Sequence, residues 1–240
     1  MNRYKFAILI CIITLVGMVA VITLNKNKDD SRIPKLIEGV NVHEMENEIF
    51  SVLGPESVSV STDRSSGSGM VWKYDGRQMV VVTTNHMMQH FESGELELWT
   101  GEKVSFSKDN VYQSEEMDVA VIAISCEKKL KLNKCGVESY LAEELPKIGD
   151  TLWMIDSVYG AASGMSTCSV ASELVFLEDY GTEMLLLYGE GKTGMSGSPI
   201  YDEDGRLVAM MSGMSEDRST LAAVPVDEIK ACLGNSILTR

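Results

Sequence analysis

The sequence predicts an all-β domain of short strands, preceded by one membrane-spanning helix and closed by a C-terminal helix. Three observations carry this. Short apolar runs recur along most of the chain, separated by turns rich in Gly, Asp and Ser, the pattern of a β-barrel or sandwich. An uncharged run, Phe6–Leu24, gives way at once to Asn25-Lys26-Asn27-Lys28-Asp29-Asp30. After Pro225, the segment Val226–Leu233 reads as a helix whose start the proline marks.

Taken in order, residues 1–5 read as a short cytoplasmic tail, with Arg3 and Lys5 ahead of the apolar run. Phe6–Leu24 is about long enough to span the hydrocarbon core of a bilayer as a helix. It exceeds the apolar region of an ordinary cleaved signal, and Met18 spoils the best cleavage position, after Ala20. An uncleaved signal anchor is therefore expected, and the position of the segment at the start of the chain points to the remaining residues lying outside the cytoplasm. Residues 25–39 form a polar linker and 40–240 the domain. Val40–Leu53 places Val42, Met45, Ile49, Phe50 and Leu53 near helical spacing. Strands follow at Ser57–Ser61, Gly69–Tyr74, Met79–Thr84, Leu96–Thr100 and Val119–Ser125. Cys126–Pro146 reads as a crossing. A second set comprises Thr151–Ser157, Ser166–Leu177, Met184–Tyr188, Ser198–Tyr201, Leu207–Ser212 and Leu221–Val224.

Composition narrows the function. The 240 residues carry a net charge of −14, which argues against nucleic-acid binding, since that needs a basic face. Five cysteines are present: Cys11 lies in the apolar run, and Cys126, Cys135, Cys168 and Cys232 permit two disulfides in any of three pairings. There is no C-x-x-C spacing and there are only three histidines, so a structural zinc site is not expected. Several of the 15 methionines fall beside the candidate site: Met87, Met88, Met195, Met210, Met211 and Met214. Adaptable core filling accounts for them.

The chemistry concentrates in Thr193-Gly194-Met195-Ser196-Gly197-Ser198-Pro199. Glycines on both sides of Ser196 allow a sharp turn and close backbone approach. Such a turn can aim the N–H groups of Gly194 and Ser196 at one point, where an oxyanion would sit. A serine hydroxyl needs a base to become a nucleophile. His86 ends the apolar run Met79–Thr84 and so lies at a strand end, whereas His43 and His90 read as surface residues. Asp118 stands at the mouth of Val119–Ser125 and supplies the carboxylate that orients a histidine base. Each residue alone has an ordinary structural reading. Together, in the order His, Asp, Ser, they form the triad arrangement built on β-barrels.

These segments resemble the chymotrypsin-like serine peptidases, and within them the bacterial HtrA/Deg and glutamyl-endopeptidase branches. Ser66-Gly67-Ser68-Gly69-Met70-Val71 is similar to the family's GSGF-type strand, and Thr84-Asn85-His86-Met87-Met88 to its histidine motif, shortened by one residue. Met117-Asp118-Val119-Ala120-Val121 resembles the DLAVL aspartate motif. Lys147-Ile148-Gly149-Asp150 resembles the segment that opens the second barrel, and Gly194–Pro199 the nucleophile turn GNSGSP. Asp204–Met210 and Leu221–Pro225 resemble two later strands, so the likeness runs from about Val58 to Leu233.

The resemblance implies two antiparallel β-barrels of the chymotrypsin type, about 54–125 and 147–225, with the site between them. It implies a serine endopeptidase acting on protein or peptide substrates through His86, Asp118 and Ser196, with no metal or organic cofactor. In departure from the HtrA branch, no PDZ-like module is expected after Leu233, since only seven residues follow it. A pseudoprotease, using the same barrels as an anchored binding module, is the alternative. Met195 departs from the family, which usually has Asp or Asn there. The digestive members pair that Asp with a new N-terminus, which a methionine cannot do. By the same resemblance, the walls of the specificity pocket fall at Tyr188–Thr193 and Met211–Met214. That makes Glu190, six residues before Ser196, a candidate pocket acid beside Met211 and Gly213. Lys192 could pair with Glu190 instead, and a small or apolar preference is the other expectation.

Overall fold

A computed structural model of the chain describes Arg32 and residues 42–132 and 136–238. The tail, the Phe6–Leu24 span, most of the linker, Cys11 and Cys135 lie outside the described residues. Among the described residues no helix is long and apolar enough to cross a membrane. Helix α1, Val42–Leu53, leads through a tight turn at Gly54–Glu56 into the first sheet. That sheet contains β1 (Ser57–Thr62), β2 (Ser66–Tyr74), β3 (Gln78–Thr83), β4 (Ser93–Leu98), β5 (Lys103–Ser107), β6 (Val111–Gln113) and β7 (Ala120–Ser125). Its strand order is β5-β4-β1-β2-β3-β7-β6. The edge strands β5 and β6 are joined by one helical turn, Lys108–Asn110, which brings the two edges of the curled sheet together.

The second sheet holds β8 (Thr151–Asp156), β9 (Gly164–Val170), β10 (Val175–Leu177), β11 (Thr182–Tyr188), β12 (Pro199–Tyr201), β13 (Leu207–Met214) and β14 (Thr220–Pro225). Its order is β10-β11-β14-β13-β12-β8-β9, and β9 also pairs with β11, which closes a barrel. Helix α2, Val226–Leu238, starts directly after Pro225, with Asp227 and Glu228 in its first turn, where acidic groups favour the helix dipole.

Alternation along β3 and β7 shows how the barrels meet. Met79 and Val81 face the first barrel's interior with Ala120, Ile122 and Ile124. Val82, Val119 and Val121 face the other way, onto a layer containing Ile155, Met184, Tyr201 and Val224 from the second barrel. Side chains on a strand alternate between faces. With both faces covered, β3 and β7 read as unbroken apolar runs rather than alternating ones. Ile49 and Leu53 of α1 and Ile229 and Leu233 of α2 pack on the same middle layer. The second barrel's own interior is filled by Leu152, Met154, Leu185, Leu187, Ile200, Val208 and Leu221, among others.

Three sequence expectations need correction. The run Ser166–Leu177 is two strands, β9 and β10, because the chain bends between Val170 and Val175. Strands β5 and β6 lie outside the predicted set, because at five and three residues they are too short to show a pattern. Cys126, Cys168 and Cys232 are all free thiols, so no disulfide is formed among the described residues. Cys168 lies in the second barrel's interior and Cys232 in the middle layer.

Candidate active site

The end of β3 turns into a single helical turn, Asn85–Met88, that carries His86. Two side-chain bonds tie it to the segment before β7: Asn85 Nδ2 donates to the Ser114 carbonyl at 2.9 Å, and Gln113 Nε2 donates to Asn85 Oδ1 at 2.9 Å. Asp118 closes that segment. Its Oδ1 accepts the His86 backbone N–H at 2.8 Å, and its Oδ2 lies 2.8 Å from His86 Nδ1. The Ser212 hydroxyl also donates to Asp118 Oδ2.

Burial penalises the charged form of Asp118. The ring and backbone bonds from His86, the His86 charge and the Ser212 bond outweigh that penalty, and the carboxyl ends below its ordinary range. A carboxylate at Nδ1 selects the tautomer protonated there and leaves Nε2 as an acceptor. The His86 side chain is 45% exposed, so that nitrogen is accessible, whereas the Asp118 side chain is only 10% exposed.

Ser196 follows a turn closed by Met195 N–H donating to the Lys192 carbonyl at 3.2 Å. Gly194 has φ +95° and Gly197 φ +90°. A positive φ at the third position of the Lys192–Met195 turn makes it type II. Among the described residues, neither the Gly194 nor the Ser196 N–H donates to a backbone acceptor. Both residues line the cleft.

Ser196 Oγ donates to the Ser212 carbonyl at 3.4 Å. Among the described residues it makes no bond to His86. Such bonds are often long or misaligned in the absence of substrate.

Sequence reasoning assigned no role to Ser68, in β2. Its N–H donates to the Ser196 carbonyl at 2.8 Å and its hydroxyl to the Gly194 carbonyl at 3.0 Å. The same hydroxyl accepts the Ser157 N–H at 2.9 Å. A fully buried side chain of the first barrel thus clamps the nucleophile turn of the second. The packing is tight enough that a Cβ on Gly197 would meet the Ser68 carbonyl oxygen at 1.9 Å.

His86, Asp118, Gly194 and Ser196 line one cleft of about 820 Å³, together with Met211, Ser212, Gly213 and Met214. Glu190 does not line it. The segment Gly189–Gly191 runs beside Arg218 and Ser219, with Gly189 N–H and Gly191 N–H donating to their carbonyls. This extended pairing turns Gly191 inward against Met214 and Leu221 and leaves Glu190 exposed. Glu190 instead lines a separate cleft of about 540 Å³ with Trp153 and Met165, and Lys192 borders both clefts. Tyr180, also unforeseen, enters the first cleft from the turn between β10 and β11. Burial, followed by the nearby Asp118 charge, raises its hydroxyl pKa, while a bond to Ser212 opposes the shift.

Comparison with known proteins bears on the family and the fold. Residues 67–210 match the model of the trypsin-like peptidase domain. The chain is 25% identical over 222 residues to serine protease Do-like HtrA of Bacillus subtilis (strain 168), an alignment covering 85% of this chain and 48% of that protein. It therefore spans about half the length of this relative. An inactive form of Rv3671c from M. tuberculosis H37Rv superposes with a TM-score of 0.62 at 17% identity, over 85% of this chain and 96% of that one. The HtrA-type protease AlgW with tripeptide gives a TM-score of 0.63 at 18% identity, over 75% and 59%. These two solved structures share the two-barrel fold. With a family model that matches more than half its residues, the chain belongs to the trypsin-like peptidase domain family, the chymotrypsin-like serine peptidases.

Proposed function

We propose that the protein is a serine endopeptidase that hydrolyses peptide bonds through His86, Asp118 and Ser196. The observation that carries this reading is the pair of hydrogen bonds between the Asp118 carboxylate and His86, at the backbone N–H and at Nδ1, each at 2.8 Å. His86 Nε2 takes the Ser196 hydroxyl proton as Oγ attacks the substrate carbonyl carbon. The carbonyl oxygen becomes an oxyanion held by the N–H groups of Gly194 and Ser196. Collapse breaks the C–N bond, and Nε2–H gives its proton to the departing amine. Water, deprotonated by His86, then attacks the acyl-enzyme, and the proton returns to Ser196.

With Glu190 exposed and outside the cleft, we take Met211, Gly213 and Met214, which line it, as the pocket walls. They favour a small or apolar side chain before the scissile bond, and a peptide-library profile dominated by Arg or Lys would refute this. Reaction with a serine-directed fluorophosphonate tests the mechanism. The unaltered protein labels at Ser196, while His86→Ala and Ser196→Ala do not, and casein hydrolysis disappears with the label.

The competing reading, a catalytically silent binding module, draws on the Ser196 bond to the Ser212 carbonyl. Absence of labelling in the unaltered protein would favour it. The Phe6–Leu24 run supports a further part of the proposal, anchoring in the membrane with the peptidase domain outside the cytoplasm. A soluble mature chain beginning near Val21 would overturn the anchor.

A further inference from the structure

The turn that precedes the nucleophile is closed twice, in opposite directions. Met195 N–H donates to the Lys192 carbonyl at 3.2 Å, and Lys192 N–H donates back to Met195 Sδ at 3.1 Å. A thioether sulfur is ordinarily a weak acceptor. Here Met195 is 0% exposed, so no water competes for the sulfur. Its side chain is packed into the second barrel's interior with Leu152, Met154, Ile200 and Met211. The sulfur therefore stands at a point fixed by the core, and it transmits that position to the Lys192 amide.

Type I and type II turns differ chiefly in the direction of their central amide. In this turn the central amide joins Thr193 to Gly194, and it carries the Gly194 N–H. The Ser68 hydroxyl fixes one side of the turn through the Gly194 carbonyl at 3.0 Å. Without a second restraint at Lys192, the Thr193–Gly194 amide could rotate and direct its N–H away from the cleft. No ion pair can supply that restraint at this position, because methionine carries no charge.

We propose that Met195 is a positioning residue whose sulfur, by accepting the Lys192 N–H, locks the nucleophile turn in the form that presents the Gly194 N–H to the substrate. The inference rests on the peptidase reading, in which Gly194 and Ser196 hold the oxyanion. It assigns to a core methionine a role in catalysis through the backbone, separate from its packing.

Two substitutions separate packing from the hydrogen bond. Met195→Leu keeps an apolar side chain of similar size but has no acceptor. Met195→Asn leaves a cavity, but its Oδ1 stands as many bonds from Cα as the sulfur does. The Leu variant is expected to keep its thermal midpoint within about 2 °C of the unaltered protein and to react with fluorophosphonate about tenfold more slowly. The Asn variant is expected to melt several degrees lower, yet to react faster than the Leu variant. A residue important only for packing would give the reverse order of rates, and that order would overturn the proposal.

A second measurement does not need activity. In a Ser196→Ala background, Met195→Leu is expected to speed hydrogen exchange of the Lys192 amide at least tenfold, and an unchanged rate would refute the sulfur bond. If the unaltered protein fails to label, the peptidase reading falls, and with it the catalytic role. The Lys192 exchange rate still decides whether the sulfur holds the turn.

Discussion

The Tyr180 hydroxyl occupies the place where a side chain on Gly213 would begin: a Cβ at Gly213 would meet Tyr180 Oη at 1.7 Å. The β10–β11 turn thereby reaches across the end of β13, next to Ser212, where a bulge shifts the register with β14. A real Cβ cannot stand that close, so Gly213→Ala must displace either Tyr180 or the strand that carries Ser212. The expected result is at least a tenfold loss of peptidase activity. Tyr180→Ala removes the obstacle, and the double variant is expected to regain the activity of Tyr180→Ala alone, a coupling that a double-mutant cycle measures. Full activity in Gly213→Ala by itself would show that the contact yields without consequence.

Ser68 offers a second test, away from the proposed triad. Its hydroxyl donates to the Gly194 carbonyl and accepts the Ser157 N–H. Ser68→Ala leaves that buried N–H without its acceptor, a loss of about 1–3 kcal/mol. It also frees one side of the nucleophile turn. Reduced stability in urea together with a lower turnover number is expected. A stability loss with unchanged turnover would mean that the Gly194 carbonyl needs no clamp.

The features legible in the sequence are those with local causes. Strands β3 and β7 are apolar on both faces because each separates a barrel interior from the middle layer, and that leaves an unbroken run. His86 and Asp118 could be found because each sits at the end of such a run. Strand β5 is harder to read because it is only five residues long and carries just two apolar residues, Val104 and Phe106. The partners Ser68, Tyr180 and the Met195 sulfur depend on chain segments that only the fold brings together. Counting back from Ser196 suggested Glu190, but a count does not reveal which face of an extended segment a residue occupies. Here Gly191 took the inner face and Glu190 the outer.

The free thiols make a prediction of their own. Burial pushes the Cys168 thiol up to about 12, and burial, partly opposed by a bond from Ser114, takes Cys232 to about 11. Both stay protonated at neutral pH, and a protonated thiol is a poor nucleophile. Alkylation of the folded protein at pH 8, located by mass spectrometry, is expected to reach Cys126 before either of them. Cys168 and Cys232 should react only on unfolding. The sign of the linkage follows: stability from these neutral thiols is present below about 8.5 and lost as pH rises toward their folded values. Rapid alkylation of Cys168 in the folded state would contradict its placement in the barrel interior.

Asp118 carries the opposite sign, and its replacement separates geometry from charge. Burial opposes its ionisation, but the bonds and charge of His86, with the Ser212 bond, leave the carboxyl below its ordinary range. A depressed folded value contributes stability above the unfolded value of about 3.9, and that contribution is lost as pH falls through the lower folded value. Asp118→Asn has no such titration. The stability difference between the unaltered protein and this variant, measured by urea unfolding, is therefore expected to be at full size above about pH 4 and to shrink below it. At neutral pH the chemical consequence should be much larger than the structural one. An amide nitrogen facing His86 Nδ1 would favour the tautomer protonated at Nε2, which cannot accept the Ser196 proton. Turnover is then expected to fall by a factor on the order of 10⁴, as for the Ser-His-Asp template, with the fold retained. If Asp118→Asn unfolds the domain at pH 7, Asp118 is chiefly a structural carboxylate. If it folds and keeps full activity, the His86–Asp118 bond does not set the tautomer of the base.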